Sequence, residues 1–156
     1  MDISRATPND MEAINKLLLQ VLTVHHEGRP DIFKENTKKY TDAELLEIIA
    51  DDTKPIFVAK DADGKIIGYA FCIFQQHTNS NILTDIRTLY IDDLCVDETC
   101  RGKHVGKSLY EYVVQFAKQS GCYNITLNVW ALNESAMRFY EACGMKVQKT
   151  GMETLL

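Results

Sequence analysis

The clearest capacity for chemistry in this 156-residue chain lies in Leu94-Cys95-Val96-Asp97-Glu98-Thr99-Cys100-Arg101-Gly102-Lys103-His104-Val105-Gly106-Lys107-Ser108. An apolar run ends in a short polar loop, and a Gly-bearing turn then opens a helical pattern. That order sets unpaired backbone N–H groups and the positive end of a helix before an anion. A nucleotide-triphosphate loop needs four residues between its first glycine and its closing Gly-Lys-Ser/Thr. Gly102 and Gly106 enclose only three, so the spacing argues against a triphosphate. Just upstream, Asp92 and Asp93 stand side by side on the same apolar run. Carboxylates there suit proton abstraction or the anchoring of a cation. Successive strand residues face opposite sides, so alternation predicts that only one of them enters a given cleft.

Metal chemistry finds no support in the pattern. The five cysteines, Cys72, Cys95, Cys100, Cys122 and Cys143, form no Cys-x-x-Cys pair, and His25, His26, His77 and His104 lie at no zinc-like spacing to them. His25 and His26 are neighbours on a helical pattern and point about 100° apart. The cysteines read as reduced thiols, and no metal is expected.

Elements must position these residues. Ile3–Ala6 reads as a strand, and Thr7-Pro8-Asn9-Asp10 as a helix start. Ile14, Leu17, Leu18, Val21, Leu22 and His25 keep helical spacing until Gly28 and Pro30. Arg29–Tyr40 is irregular and aromatic-bearing, either a connector or a binding loop. Thr41-Asp42-Ala43-Glu44 is a capping box opening a helix to Ala50. Ile56–Lys60 and Ile66–Gln75 form a hairpin across Asp63-Gly64. Thr84–Val96 holds a strand, strongest from Leu89. Val105–Ser120 is a helix stopped by Gly121, Tyr123–Trp130 a strand, and Asn133–Cys143 a helix ended by Gly144. Lys146–Leu156 is expected to hold two last short strands. The whole, residues 1–156, reads as one mixed α/β domain with a central sheet.

Composition limits the partners. Seventeen Lys+Arg against 22 Asp+Glu give a net charge of −5, which argues against nucleic-acid binding, because that needs clustered cations. The acidic balance suits a small cationic partner. No apolar run approaches the roughly 20 residues of a membrane span, and Met1-Asp2-Ile3-Ser4-Arg5 carries no apolar signal stretch. A cytoplasmic protein is expected.

Arg101-Gly102-Lys103-His104-Val105-Gly106 resembles the acetyl-CoA pyrophosphate loop of the GNAT superfamily of N-acetyltransferases, (Arg/Gln)-x-x-Gly-x-(Gly/Ala). Asn133-Glu134-Ser135-Ala136-Met137-Arg138-Phe139-Tyr140-Glu141-Ala142-Cys143-Gly144-Met145 resembles that family's second signature, Asn-x-x-Ala-x-x-(Phe/Leu)-Tyr-x-x-x-Gly-(Phe/Met). Ile3-Ser4-Arg5-Ala6-Thr7 and the Asp-Gly hairpin fit its order of elements, so the resemblance covers the whole chain. It implies a central, mostly antiparallel sheet flanked by helices, with strands splayed at the acetyl-CoA site. It also implies direct acetyl transfer from acetyl-CoA to a primary amine in a ternary complex. The acceptor is a small polyamine-like amine, which the acidic balance favours, or a protein N-terminus or lysine. A non-catalytic acyl-CoA sensor is the alternative from another class. Family members often pair as homodimers, and the expected C-terminal strands would offer an interface.

By the same resemblance the backbone of Leu94, Cys95 and Val96 holds the pantetheine arm, and an N–H of this strand faces the thioester oxygen. The N–H groups of Arg101, Gly102, Lys103, His104, Val105, Gly106 and Lys107 hold the pyrophosphate. Arg101 and Lys107 either add charge or are simply solvated. Asn133 matches a cofactor-contacting residue and also reads as an N-cap. Tyr140 matches the acid that protonates the coenzyme A thiolate, its other reading being a core aromatic on one stripe with Ala136. His104 departs from the family, which carries glycine there. It is either a solvent-facing imidazole or a phosphate contact, and the departure puts the tightness of the loop in question. Tyr90-Ile91-Asp92-Asp93-Leu94 resembles the polyamine-acetylating branch, in which an acid of this strand serves the amine. Asp92 is favoured as base or anchor, Asp93 comes second, and solvated edge acids are the remaining reading. Glu27, Asp31 and Tyr112 are further acceptor-side candidates. The chemistry needs such a base, since only about one lysine-like amine in 2,500 is neutral at pH 7.

Overall fold

The computed structural model describes residues 1–156, and its sheet follows the apolar runs. The strands are β1 (Asp2–Arg5), β2 (Ile56–Lys60), β3 (Ile66–Gln76), β4 (Arg87–Val96) and β5 (Asn124–Leu127). They lie in that order across one sheet. The first three pairings are antiparallel. β4 and β5 run parallel, over Thr88–Ile91 and Asn124–Leu127. The helices are α1 (Met11–Gly28), α2 (Asp42–Ala50), α3 (Val105–Gln119) and α4 (Glu134–Ala142).

Local chemistry sets the helix starts. Asp10 accepts from the backbone N–H and hydroxyl of Thr7 at 2.8 and 2.9 Å, closing a 3-10 turn, Pro8–Asp10, ahead of α1. Thr41 and Glu44 cap α2 reciprocally. The helices then cover both faces of the sheet. On one, Ile14, Leu17 and Leu18 of α1 and Leu45 and Ile49 of α2 bury Val58, Tyr69, Phe71 and Cys95. On the other, Val113 and Ala117 of α3 bury Phe57, Ala70, Cys72, Leu89 and Ile91, while Val105 and Leu109 pack on Ala59 and Ile67. No helix is long and apolar enough to cross a membrane.

Two features of β4 open the sheet. Phe71 pairs with Asp93 and Cys72 with Ile91, so Asp92 is an extra residue, a β-bulge. β5 pairs with β4 only as far as Ile91. From Asp92 to Val96 the edge of β4 turned away from β3 therefore has no strand beside it. The other edge stays tight: a Cβ on Gly68 would lie 2.9 Å from the Cys95 carbonyl oxygen.

The two strands expected in Lys146–Leu156 do not form. The segment makes no backbone hydrogen bond, and Val147, Met152, Leu155 and Leu156 are exposed. Its few apolar residues do not alternate, Gly151 interrupts them, and the last strand of the sheet, β5, is only four residues long. A strand that buries no face gains little from pairing. The homodimer interface expected of these strands loses its elements with them. The strand expected over Tyr123–Trp130 likewise shrinks to Asn124–Leu127.

Candidate active site

The bulge overturns the expectation that only one of two adjacent acids enters the cleft. Before it, the odd-numbered Leu89 and Ile91 face α3. After it, the odd-numbered Cys95 faces α1, while Leu94 and Val96 face α3. One extra residue thus turns Asp92 and Asp93 to the same side. Both carboxylates converge on a single cation, Lys39 Nζ, at 2.9 Å from Asp92 and 4.0 Å from Asp93.

Lys39 and its neighbour Tyr40 come from Arg29–Tyr40, the irregular segment between α1 and α2. His26 Nδ1 lies 2.7 Å from the Phe33 carbonyl oxygen and ties the segment back to α1. The Tyr40 hydroxyl donates to Asp92 at 3.3 Å, and the Tyr69 hydroxyl donates to Asp93 at 2.8 Å. The Asp93 side chain is only 10% exposed. Its burial pushes the carboxyl up from the ordinary range, and Lys39 and the Tyr69 hydrogen bond only partly offset this. Burial alone would lower Lys39, but Asp93 and Asp92 outweigh it and hold the ammonium protonated. Burial pulls His25 down, against the field of Asp93. Lys39, Tyr40, Tyr69 and His25 escaped sequence reasoning. The aromatic content of Arg29–Tyr40 was the one signal for the first two.

Tyr140 on α4 stands near this cluster. Burial, then the charge of Asp93, raise its hydroxyl above the ordinary tyrosine range, so it stays protonated and able to donate. Its ring lies 5.0 Å from that of Phe139 and 6.4 Å from that of Tyr110. Burial pushes the thiols of Cys72 and Cys95 up to about 12, which keeps both from acting as nucleophiles.

At the other end of the open β4 edge, α3 begins at His104, which adopts φ 61° and ψ 9° as its N-cap. Gly102 is also left-handed, at φ 78°. The chain turns so sharply that the N–H groups of Gly102, Lys103, His104, Val105, Gly106 and Lys107 find no backbone acceptor. Arg101, Lys103, His104 and Lys107 have exposed side chains. A Cβ on Gly106 would come within 3.4 Å of Phe139 and Val96, so the loop sits closely against α4 and the end of β4. Open donors, cations and a helix terminus fit a pyrophosphate. The unpaired edge at Leu94, Cys95 and Val96 fits an extended amide-bearing arm.

Asn133 caps α4, accepting from the Ala136 N–H at 3.2 Å, and lines a cleft of about 350 Å³. Val24, His25, Arg29 and Phe33 wall one side of this cleft, and Trp130, Leu132, Asn133 and Ser135 the other. Of the weaker candidates, Asp31 binds the Arg29 guanidinium on this cleft, with 2.8 Å between Arg29 Nη2 and Asp31 Oδ2. Glu27 is exposed on α1. Tyr112 stacks edge-on against Phe57 on the α3 face, with ring centroids 5.1 Å apart, away from the acid pair.

Residues 21–145 match the family model described as the acetyltransferase (GNAT) family. The chain is 39% identical over 102 residues to the glucosamine 6-phosphate N-acetyltransferase of Arabidopsis thaliana, covering 65% of this chain and 64% of that protein. It is 29% identical over 79 residues to the thialysine N-epsilon-acetyltransferase of Bos taurus, covering 51% and 44%. The matches therefore span less than two thirds of these relatives' own length. A Bacillus halodurans protein, solved as a mutant, superposes with a TM-score of 0.96 at 32% identity, covering 100% of this chain and 99% of that one. An aminoglycoside N-acetyltransferase in complex with CoA shares the fold, with a TM-score of 0.74 at 19% identity over 99% and 98%.

Proposed function

Because the chain belongs to the GNAT acetyltransferase family, we propose that it transfers the acetyl group of acetyl-CoA to a primary amine seated at Asp92 and Asp93. The observation that carries this reading is Lys39. A primary ammonium already sits at the acid pair, 2.9 Å from Asp92, beside the open edge of β4 and near Tyr140. An acceptor ammonium takes that seat when Lys39 swings out. The names of the relatives, which acetylate glucosamine 6-phosphate and thialysine, agree with a small amine.

Acetyl-CoA supplies the activated thioester when bound, and the remaining work falls to the chain. The N–H groups of Gly102–Lys107, with Arg101, would hold the pyrophosphate, and the β4 edge from Leu94 to Val96, together with Asn133, would hold the pantetheine arm. A free N–H of that edge faces the thioester oxygen. Asp92 anchors the ammonium, and Asp93 takes its proton. A carboxyl raised by burial is better matched to that task than an ordinary one. The neutral nitrogen then bonds to the acetyl carbon as the carbon–sulfur bond breaks. Tyr140 gives its hydroxyl proton to the departing sulfur, and the second proton, shed by the nitrogen as the amide forms, restores the Tyr140 hydroxyl. Deprotonating a lysine-like amine at pH 7 is a handicap of about 4.6 kcal/mol, part of which a positioned base offsets.

Release of free thiol from acetyl-CoA across a panel of primary amines tests the reading. Turnover with small amines is the expected result. Turnover with lysine peptides alone would make it a protein acetyltransferase. Tight coenzyme A binding with no turnover on any amine would make it a sensor and overturn the proposal.

A further inference from the structure

The cleft lined by His25 and Trp130 holds a second recognition element that the acetyl-transfer chemistry does not use. Arg29, the residue after α1, lines it, and its side chain is only 20% exposed. The guanidinium presents two edges. Asp31 holds one, with Nε donating to its two oxygens at 2.9 and 3.2 Å and Nη2 at 2.8 Å. The other edge holds the Glu153 carboxylate, through Nη1 and through Nη2 at 3.2 Å. This is the forked geometry by which arginine recognises carboxylates and phosphates.

Glu153 is a weakly fixed occupant. It belongs to Lys146–Leu156, which makes no backbone hydrogen bond. Its own side chain is 56% exposed, and exposed ion pairs contribute little to holding a segment in place. One residue of the cleft, His25, connects it to the amine seat. His25 lies one helical turn before Arg29, about 6 Å along the axis, and receives the Arg29 N–H at 2.9 Å. Its ring sits 4.9 Å from Phe33, Phe33 sits 5.3 Å from Trp130, and the imidazole feels the charges of Asp93 and Lys39. His25 therefore links the two groups: it lines the cleft with Arg29 and lies within the field of the acid pair.

We propose that Arg29 is an acceptor subsite for an acidic group, with Glu153 keeping the place that the carboxylate or phosphate of the acceptor takes. The preferred acceptors are then small molecules carrying a primary amine at one end and an acidic group at the other. This rests on the acetyl-transfer reading for the word acceptor, but its test does not depend on turnover.

Trp130 is the one tryptophan of the chain and lines the cleft, so its fluorescence reports occupancy directly. Pentylamine, its ω-carboxylate and its ω-phosphate are titrated into the full chain, wild type, Arg29→Gln, Arg29→Lys and Glu153→Gln. The wild type binds one or both acidic compounds at least about tenfold more tightly than pentylamine, and the stronger of the two identifies the acidic group. Arg29→Gln collapses that ratio towards one, Arg29→Lys retains part of it, and Glu153→Gln enlarges it. Equal affinity for all three compounds in the wild type, or a ratio that survives Arg29→Gln, would overturn the subsite. A parallel loss of coenzyme A affinity in Arg29→Gln would do the same, by moving Arg29 to the cofactor. If the ratios behave as expected and no acetyl-CoA is consumed with any of the compounds, the subsite stands and the acetyl-transfer reading fails.

Discussion

Tyr140 and the two aspartates have separable tasks. Tyr140→Phe keeps the ring against Phe139 and Tyr110 and removes only the hydroxyl. Turnover falls by about 10²–10⁴-fold, while coenzyme A affinity by calorimetry barely moves. Wild-type turnover in this variant would return the residue to a packing role. Asp93 must be ionised to accept a proton, and burial raises its carboxyl, so kcat/KM of the wild type climbs with pH through a value above the ordinary 3.8. Asp93→Asn removes that limb, and its deficit shrinks as pH nears the amine's own pKa. Asp92→Asn instead raises the acceptor KM at every pH, since it removes an anchor. A pH–rate series on both variants with one acceptor separates them. The residue types of this site were legible in the sequence, because Asp92, Asp93 and Tyr140 lie on or beside recognisable motifs. Lys39 was not: it reaches Asp92 across 53 positions of chain, and no local pattern encodes such a meeting.

At the scale of elements, the turn into α3 is strained at one residue. His104 holds φ 61°, a conformation that costs a non-glycine residue about 1–2 kcal/mol. Glycine loses about 0.5–1 kcal/mol more chain entropy on folding, which offsets part of the relief. His104→Gly therefore stabilises the protein by about 0.5–1 kcal/mol, a rise of about 2 °C in thermal melting for a chain of this size. Coenzyme A affinity is kept or tightened. A marked loss would mean that the imidazole itself touches phosphate. The helices and the hairpin were readable from caps, glycines and apolar spacing, each a short-range signal. The bulge in β4 was not, because register depends on the partner strand. Lys146–Leu156 failed for the complementary reason: pairing needs a face to bury and an edge to meet, and sequence alone displays neither.

For the whole molecule, two carboxylates tie stability to pH in opposite senses. Burial would raise Asp10, but hydrogen bonds from Lys60 and Thr7 outweigh it and hold the carboxyl below 3.8. Its stabilisation is present above that value and is lost as pH falls through the depressed pKa. Asp93 is raised above 3.8, so its contribution is full below 3.8 and is lost as pH rises through the elevated value. Asp93→Asn, which can still accept the Tyr69 hydrogen bond, should therefore melt higher than the wild type at neutral pH while being less active. Asp10→Asn strands Lys60, 2.8 Å away, and lowers the melting temperature at neutral pH, with a difference that narrows in acid. Melting curves from pH 3 to 8 on the three proteins check both signs. A lower melting temperature for Asp93→Asn at pH 7 would mean that the buried carboxylate supports the fold.

Asp92 is supernumerary to the sheet. On either side of it the neighbours Ile91 and Asp93 already pair with the consecutive residues Cys72 and Phe71 of β3. Excising Asp92 would leave an unbroken ladder in which Leu94 and Val96 still face α3 and Cys95 still faces α1. A one-residue deletion inside a central strand ordinarily scrambles the alternation of every residue beyond it. Here it repairs the alternation instead, as a second frameshift restores a reading frame. The deletion variant should fold, with its circular dichroism intact and its melting temperature near that of the wild type, and yet show a raised acceptor KM, as Asp92→Asn does. Because Asp93 is also an aspartate, deleting either acid gives this same chain, whereas deleting Leu89 or Leu94 should instead disrupt the packing of β4.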